Sequence, residues 1–247
     1  MDLTTFFKEN SKAAVAFSGG VDSSYLLYAG ISAGADVTGY YVKSAFQPMF
    51  EYNDAMRLAE QIGARVKVIE VDVLADEKVR QNPSDRCYYC KQGIFGTILR
   101  TAAEDGYTLI LDGTNASDDE GDRPGMKALR ELQVRSPLRE CGLTKDMIRQ
   151  LSREAGLFTW DKPSYACLAT RIRTGEEITA EKLSATEDSE DYLFSLGFTD
   201  FRVRMRDRDA LLQVPSSQFA KVAENREAIL AKLKEYYDKV SLDLEVR

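Results

Sequence analysis

The stretch Phe17-Ser18-Gly19-Gly20-Val21-Asp22-Ser23-Ser24 decides the fold of this chain. It follows an apolar run, Ala13 to Phe17, that predicts a buried parallel strand, and it opens a helix rich in Leu, Tyr and Ala. Adjacent glycines let the backbone turn sharply toward an anion, which the N–H groups and hydroxyls of the next helix then face. An ordinary glycine turn, the alternative, would need neither the serines nor the aspartate. The sequence therefore predicts a phosphate-binding loop made of Ser18, Gly19, Gly20, Val21, Asp22, Ser23 and Ser24.

This loop differs from the phosphate loop in which a lysine follows the last glycine, because no lysine follows Gly20. It resembles the loop of the ATP pyrophosphatases, which cleave ATP between the α and β phosphates. The resemblance implies that ATP binds with its adenine near the strand ends and its phosphates on the loop. Asp22 is then expected to organise the loop or to bind Mg²⁺.

Composition restricts the class of protein. The 247 residues suffice for one large or two modest domains, each with a hydrophobic core. No apolar stretch approaches the roughly 20 residues of a membrane span, and residues 1–12 do not have the form of a signal peptide, so we expect a cytoplasmic protein. The net charge of −7 disfavours broad binding to nucleic acid. The chain contains no histidine, which excludes imidazole catalysis and imidazole-bound zinc.

Strand and helix patterns alternate over the first 160 residues. Strands separated by helices form parallel sheets covered on both faces, so the predicted fold class is α/β. Ligands bind such sheets beyond the carboxyl ends of the strands, where the phosphate loop lies. The predicted strands are 12–17, 36–42, 65–71, 107–112 and 133–136. The predicted helices are 23–32, 51–62, 89–104, 123–131 and a helix that is capped by Thr144 and ends at 155.

The alternation of strand and helix patterns ends near residue 160, and a second region follows. Residues 160–178 contain Pro163 and Gly175 and are predicted to form an ordered connecting loop. The pattern after the loop predicts a small α+β domain, and we place the two domains at 1–160 and 161–247. Its predicted elements are a helix at 179–196, strands at 201–205 and 210–214, a helix at 217–236 and a strand at 240–246.

The four cysteines indicate metal-binding or catalytic thiols rather than disulfides, as is usual in a cytoplasmic chain. Cys87 and Cys90 lie near the start of a predicted helix, beside the cations Arg86 and Lys91, which favour the thiolate. The pair fits a redox dithiol, half a zinc site, part of an iron–sulfur cluster, or ordinary reduced cysteines. A cluster with one open iron needs only a third thiolate, which Cys167 can supply. Cys141 precedes a helix cap and is interpreted as structural.

Small polar residues and carboxylates follow the strand predicted at 107–112, in the run from Asp112 to Asp119 and again at Asp122. Such residues at a strand end suit ligand contact, and carboxylates can hold Mg²⁺ bound to pyrophosphate. We predict that Gly113 and Thr114 bind the nucleotide, with Asp118 as a weaker metal candidate than Asp22. The alternative is a solvated acidic turn.

A group of arginines indicates a second anion site. Alternation along the strand predicted at 201–205 places Arg202, Arg204 and Arg206 on one face. Arg171 and Arg173 in the connecting loop add to the group. Guanidinium groups suit phosphate or carboxylate, although a solvated strand face would look the same.

Together these motifs resemble the LarE-type sulfur transferases, which help to build the nickel-pincer nucleotide cofactor of lactate racemase. The most specific of them are Asp-Gly-Thr-Asn at 112–115 and Lys-Pro-Ser-Tyr-Ala-Cys-Leu-Ala-Thr-Arg at 162–171. The resemblance implies an ATP pyrophosphatase domain of the adenine nucleotide alpha hydrolase-like (PP-loop) type at 1–160. Residues 161–247 would then hold the sulfur-transfer or substrate domain. The matching stretches are 18–24, 82–91, 112–128, 136–145 and 162–179.

The resemblance also implies a reaction. The enzymes adenylate a carboxylate of pyridinium-3,5-biscarboxylic acid mononucleotide, and sulfur then displaces AMP to leave a thiocarboxylate. In part of the family the cysteine that matches Cys167 gives up its own sulfur and becomes dehydroalanine. In members with two further cysteines, three thiolates hold a [4Fe-4S] cluster whose open iron passes on a sulfide. Because this chain has Cys87 and Cys90, it is expected in the second group, with Cys87, Cys90 and Cys167 as the metal ligands.

The expected catalytic residues are Asp22, Cys167 and Glu190. Arg202 and Arg204, with Glu190 from the preceding helix, are expected to line the pocket for the substrate nucleotide. The expected cofactors are ATP, Mg²⁺ and a [4Fe-4S] cluster. We also expect a small-molecule nucleotide substrate, a homo-oligomer, and neither a membrane nor a nucleic acid as partner.

Three other functions compete with this one. A tRNA thiolase uses the same adenylation and can carry a three-cysteine cluster, but it should show RNA-binding domains and a basic surface. An amidotransferase-like ligase, as in NAD or GMP synthesis, would leave the cysteines without a role. A nucleotide-sensing module would bind ATP without releasing pyrophosphate.

Overall fold

Four parallel strands form the central sheet. The structure, a computed structural model, describes residues 2–118 and 124–245. The strands are β1 Lys12–Ala16, β2 Asp36–Lys43, β3 Val66–Glu70 and β4 Ile110–Leu111. They lie in the order β3-β2-β1-β4, and each pairing between neighbours is parallel. The described residues therefore confirm the predicted α/β class.

The central strands β1 and β2 are buried on both faces because their residues alternate between two cores. Ala13 of β1 packs into one core and Ala14 into the core on the opposite face. On β2, Tyr41 belongs to the first core and Tyr40 to the second. Since successive strand residues point to opposite faces, both faces must be covered by helices.

The helices supply this cover. Leu26, Leu27 and Leu58 bring their helices against the first core, and Phe95 and Ile98 bring theirs against the second. No helix among the described residues is long and apolar enough to cross a membrane. In chain order the helices are α1 Leu3–Glu9, α2 Val21–Ser32, α3 Met49–Gln61, α4 Glu77–Arg80, α5 Arg86–Glu104, α6 Pro124–Glu131, α7 Pro137–Glu140, α8 Lys145–Glu154, α9 Ala180–Ser195, α10 Phe219–Glu224 and α11 Arg226–Leu233.

A second, three-stranded sheet lies in the later part of the chain. Its strands are β5 Arg202–Arg206, β6 Asp209–Gln213 and β7 Lys239–Leu242. β5 pairs with β6 antiparallel, and β6 pairs with β7 parallel. Helix α9 and the pair α10 and α11 pack on a separate core that includes Phe198, Phe201 and Leu233.

The chain divides into two compact units, Met1–Val73 with Asp85–Ser164 and Leu74–Ser84 with Tyr165–Arg247. The short segment that contains α4 belongs to the second unit through hydrogen bonds that no sequence pattern reveals. Gly175 N donates to Asn82 O at 2.8 Å, and Ile178 N donates to Arg80 O at 2.8 Å. The assignment of an ATP pyrophosphatase domain to residues 1–160 and of a sulfur-transfer or substrate domain to residues 161–247 stays a prediction.

Two predicted elements differ in kind from the structure. Residues 133–136 form no strand; Arg135 makes a single parallel bridge to Leu111, because β4 itself is only two residues long. The helix predicted at 217–236 is divided at Asn225, whose side chain bonds back to Lys221 O. Helix α1 was not predicted. The predicted helix start at Arg123, the last predicted strand residue, Val246, and the carboxylates Asp119 and Asp122 lie outside the described residues.

Candidate functional site

The loop after β1 adopts a conformation that requires glycine. Gly19 has φ +73°, and a Cβ placed there would lie 2.6 Å from Ala55 Cβ on α3. Gly20 is extended and caps α2 without a side-chain hydrogen bond. The first N–H groups of a helix have no partner within the helix. In α2 these N–H groups therefore remain available to an anion, with the positive end of the helix dipole behind them.

Hydrogen bonds within the loop hold its shape. Ser18 N donates to Ser23 Oγ at 3.2 Å, and the two hydroxyl oxygens lie 3.1 Å apart. Ser23 Oγ also lies 3.3 Å from Gly20 O. Ser24 is fully buried, and its hydroxyl has no hydrogen-bond partner among the described residues. Val21 packs its side chain into the first core, so only its backbone can contact a ligand.

Asp22, in the first turn of α2, is held from two sides. Its Oδ2 lies 2.6 Å from Lys145 Nζ, and its Oδ1 accepts a hydrogen bond of 3.5 Å from Asn115 Nδ2. Burial raises the pKa of Asp22 above its ordinary value; Lys145 opposes this rise, and the charge of Asp118 adds to it. Asp22 and Asp118 both line the same cavity, and the charge of one acts on the other.

The loop that follows β4 packs directly on the phosphate loop. A Cβ added to Gly113 would lie 2.9 Å from Ser23 N, so the two backbones approach closely only because residue 113 is glycine. Asp112 accepts hydrogen bonds from Thr114 N and Thr114 Oγ1, at 3.2 and 2.5 Å, and from Ser136 Oγ at 2.7 Å. These bonds fix the predicted nucleotide-binding residues Gly113 and Thr114 beside the start of α2.

A cavity of about 310 Å³ lies at this edge of the sheet. One part of its lining is apolar and aromatic, and the other part carries the hydroxyls and carboxylates of the two loops. Such a division suits a nucleotide, whose base is flat and apolar and whose phosphates are charged. The apolar part includes Tyr40, Val42, Ile94, Phe95 and Ile98, and the polar part includes Ser18, Asp22, Ser23, Asp112, Thr114 and Asp118.

Sequence reasoning missed Lys145 and Lys91 as members of this site. Lys145 and Asp22 are 123 positions apart, and no periodic pattern links them. Thr144 caps α8 as predicted, accepting a hydrogen bond from Met147 N. The capped helix starts at Lys145 and thereby brings its side chain to Asp22.

The predicted metal-binding cysteines belong to different units. Cys87 is exposed and Cys90 half-buried, one turn apart on α5 in the first unit, and Arg86 Nη2 lies 3.8 Å from Cys87 Sγ. Cys167, in the second unit, is half-buried. Among residues 2–118 and 124–245, no three Cys, Asp or Glu side chains are grouped so that they could hold a metal ion. The cluster therefore stays a prediction.

The remaining cysteine has a different environment. Cys141 packs against the first core, and burial raises the pKa of its thiol. A higher pKa lowers the thiolate fraction and with it the reactivity.

In the second unit, Glu190 is buried and fully engaged. It forms a two-pronged ion pair with Arg171, at 2.8 and 3.0 Å, and both side chains are 1% exposed. The carboxylate also accepts hydrogen bonds from the Tyr165 hydroxyl and from Val203 N. This geometry gives Glu190 a structural role that fixes the loop around Cys167 against β5; its predicted catalytic role stays a prediction.

The predicted substrate arginines have different environments. Arg202 is buried over the Tyr165 ring, 5.0 Å from its centroid. Arg204 donates to Gln213 Oε1 at 2.5 Å and to Thr170 O at 2.8 Å. It lines a polar cavity of about 630 Å³ in the second unit, to which Arg173 and Arg206 also contribute. A cationic cavity of this kind suits a phosphate group.

Comparisons with known proteins place this architecture in a class. No protein-family profile matches the chain. The tRNA-specific 2-thiouridylase MnmA of Fervidobacterium nodosum is 27% identical over 184 residues, which cover 60% of the chain and 53% of the relative. With the parallel sheet and the phosphate loop, this likeness identifies an α/β enzyme of the PP-loop superfamily.

Two relatives match most of the chain. An uncharacterized protein of Synechocystis sp. is 35% identical, covering 91% of the chain and 84% of the relative. The pyridinium-3,5-bisthiocarboxylic acid mononucleotide synthase of Lactiplantibacillus plantarum is 34% identical, covering 87% of the chain and 79% of the relative. The chain belongs to the LarE-type family of this synthase and is an ATP-dependent sulfurtransferase. The family expectation from the sequence is thereby confirmed, whereas membership of the iron–sulfur subgroup stays a prediction.

Proposed function

We propose that the protein adenylates a carboxylate of pyridinium-3,5-biscarboxylic acid mononucleotide with ATP and then replaces the adenylate with sulfur. The observation that carries this proposal is the cavity of the first unit, where a glycine-dependent phosphate loop meets an apolar surface. The substrate is suggested by the name of the Lactiplantibacillus plantarum relative, a bisthiocarboxylic acid mononucleotide synthase. The product of such a reaction is a thiocarboxylate.

The two parts of the cavity support one orientation of ATP. The phosphates would accept hydrogen bonds from the first N–H groups of α2 and from Ser18, while the adenine would lie against Tyr40, Phe95 and Ile98. The unpaired hydroxyl of Ser24 is buried behind the loop and is not required for this contact.

The adenylation step needs positioning more than a protein nucleophile. A substrate carboxylate oxygen attacks the α-phosphorus, the bond from that phosphorus to the bridging oxygen breaks, and pyrophosphate leaves with the electron pair. Negative charge accumulates on the phosphate oxygens, so N–H donors fixed in place before the reaction stabilise the transition state. The close contact of Gly113 with Ser23 keeps these donors rigid.

The described carboxylates fit a magnesium ion. Mg²⁺ is usually held by one or two carboxylates together with substrate phosphates, and Asp22 and Asp118 supply such a pair. When bound, Mg²⁺ would neutralise charge on the departing pyrophosphate. Lys145 keeps Asp22 oriented toward the cavity through its 2.6 Å ion pair.

The polar cavity of the second unit supports binding of the substrate's own phosphate. Arg173, Arg204 and Arg206 line it, and Arg204 is fixed by its contacts with Gln213 and Thr170. Guanidinium groups donate to phosphate in pairs, and their donors are aligned before the ligand arrives. The buried Arg171–Glu190 pair would support this arrangement rather than act in it.

Two sources of sulfur remain as hypotheses. Three thiolates, from Cys87, Cys90 and Cys167, are the donor set of a [4Fe-4S] cluster with an open iron. If these thiolates held such a cluster, it would supply a sulfide to the adenylated carboxylate. In the other hypothesis the Cys167 thiolate attacks the acyl carbon and AMP leaves, which gives a thioester. Loss of the Cα proton of residue 167 then breaks its Cβ–S bond, which releases the thiocarboxylate and leaves dehydroalanine, so one chain makes one thiocarboxylate.

Product counting by mass spectrometry tests the function and separates these sources. The anaerobically purified chain, reconstituted with iron and supplied with sulfide, ATP, Mg²⁺ and the pyridinium nucleotide, is expected to release pyrophosphate and form a thiocarboxylate. Iron and sulfide analysis is performed on the same sample. With a cluster, Cys87→Ala reduces the yield to one product per chain or fewer, whereas Cys141→Ala, the matched control, turns over normally. Several products per chain from Cys87→Ala would contradict the cluster, and thiolation of tRNA instead would contradict the proposed function.

A further inference from the structure

The charges that line the nucleotide cavity are poorly balanced. Asp22, Asp112 and Asp118 contribute carboxylates, and Lys91 is the one cationic side chain among the described residues of the lining. ATP carries several negative charges on its phosphates. A cavity with such a lining needs a positive group that is not already neutralised.

Other cations near the two loops are already engaged. Lys145 forms the ion pair with Asp22. Arg139 donates to the backbone carbonyls of Asn115 and Asp118. Lys91 has no ion-pair partner within residues 2–118 and 124–245, so its charge is available.

The position of Lys91 on α5 directs it to the cavity. Ile94, Phe95 and Ile98 follow it by three, four and seven residues, and all three line the cavity. Residues with this spacing share one face of a helix. Lys91 therefore lies on the cavity-lining face of α5, on the N-terminal side of these three apolar residues.

The first turn of α6 leaves room for the lysine stem. A Cβ added to Gly125 would lie 3.1 Å from both Cδ and Cε of Lys91. This distance is shorter than about nine in ten ordinary Cβ contacts, so a larger residue at 125 would require the stem to shift by a few tenths of an ångström. Glycine at this position thus allows the extended chain of Lys91 to lie along α6.

We infer that Lys91 binds the polyphosphate chain of ATP and stabilises the charge that develops on pyrophosphate as it leaves. The inference deepens the proposed function and rests on it. The step needs no proton transfer from the lysine, because the electron pair of the broken bond remains on the pyrophosphate oxygen. In the sequence, Lys91 follows Cys90 and is interpreted only as a neighbour of the thiols, which is why this role was not predicted.

Binding of two ligands to the full-length chain in Mg²⁺ buffer tests the inference. The ligands are α,β-methylene-ATP, which cannot release pyrophosphate, and adenosine, which has no phosphate. Lys91→Met should weaken binding of α,β-methylene-ATP by about tenfold to a hundredfold, the usual range for loss of a charged hydrogen bond, and leave adenosine binding unchanged. Lys91→Arg should recover part of the affinity. The matched control, Lys127→Met, removes an exposed lysine of α6 that pairs with Glu131, and it should change neither affinity.

The possible outcomes separate the two proposals. Unchanged affinity of Lys91→Met for α,β-methylene-ATP, or an equal loss for adenosine, would overturn the inference and leave the proposed function standing. Gly125→Ala should cause a smaller loss for the same ligand, which would support the position of the stem. A wild-type chain that binds neither ligand would overturn both proposals. A selective loss in Lys91→Met, in a chain that makes no thiocarboxylate, would support the inference and contradict the proposed function.

Discussion

The nucleotide cavity of the first unit and the arginine cavity of the second unit handle charge in opposite ways. In the first, backbone N–H groups and partly neutralised carboxylates surround a space with one described cation. In the second, arginines dominate, and one of them, Arg171, is removed from the cavity's chemistry by a buried ion pair with Glu190. A charged residue in a site motif can therefore either contact the ligand or stabilise the fold, and its burial and its partners decide which.

The largest effect is expected at the loop of the first unit. Asp22→Ala should reduce pyrophosphate release by roughly a thousandfold, the upper end for loss of one positioned electrostatic group. The fold should persist because the loop bonds of Ser18 and Ser23 remain. Asp36→Ala, which removes a surface ion pair with Arg65, is the control and should keep near-normal activity. Normal release from Asp22→Ala, measured by a coupled pyrophosphate assay, would show that the carboxylate belongs to the fold rather than the site.

The buried pair of the second unit should behave in the opposite manner. Glu190→Ala leaves the Arg171 charge buried and unpaired, which typically costs about 3–5 kcal/mol of folding free energy. Chemical denaturation should therefore show a large loss of stability, whereas Asp238→Ala, which breaks the exposed pair with Arg208, should show little. A Glu190→Ala variant with wild-type stability and no activity would instead support the predicted catalytic role.

Local motifs could be predicted from the sequence, whereas contacts between distant parts of the chain could not. The phosphate loop is a local motif, and Gly19 and Gly20 specify its turn whatever surrounds them. The succession of strand and helix patterns over the first 160 residues likewise predicted the covered parallel sheet. Lys145 and the segment at 74–84 depend on contacts between distant parts of the chain, for which periodicity gives no signal. Alternation placed Arg202 and Arg204 on one face, but burial of Arg202 against Tyr165 depends on packing.

Two glycines with similar backbone conformations, one of them in the phosphate loop, differ in how closely they pack. Gly19→Ala combines a left-handed backbone with a contact of 2.6 Å to Ala55, and should cost about 2–4 kcal/mol in stability. Gly142→Ala has a similar φ of +70° but open space around it, so it should cost only about 1–2 kcal/mol. Equal losses by chemical denaturation would mean that the packing of the loop on α3 contributes nothing.

The smallest effect is expected at the rim of the arginine cavity. Arg204→Ala should raise the KM for the pyridinium nucleotide by about tenfold to a hundredfold and leave the KM for ATP unchanged. Arg208→Ala, an exposed arginine paired with Asp238, is the matched control. An equal rise in both KM values would indicate that Arg204 does not distinguish the two nucleotides.

Transfer of ¹⁸O from the substrate to AMP would show that a substrate carboxylate attacks the α-phosphorus. The pyridinium nucleotide is labelled with ¹⁸O in its carboxylates and reacted with unlabelled ATP in ordinary water. Mass spectrometry of the products should find one ¹⁸O in each AMP and none in pyrophosphate, because the attacking oxygen stays with the phosphorus when sulfur displaces AMP. AMP without the label, or label in inorganic phosphate together with ADP, would contradict adenylation of the carboxylate.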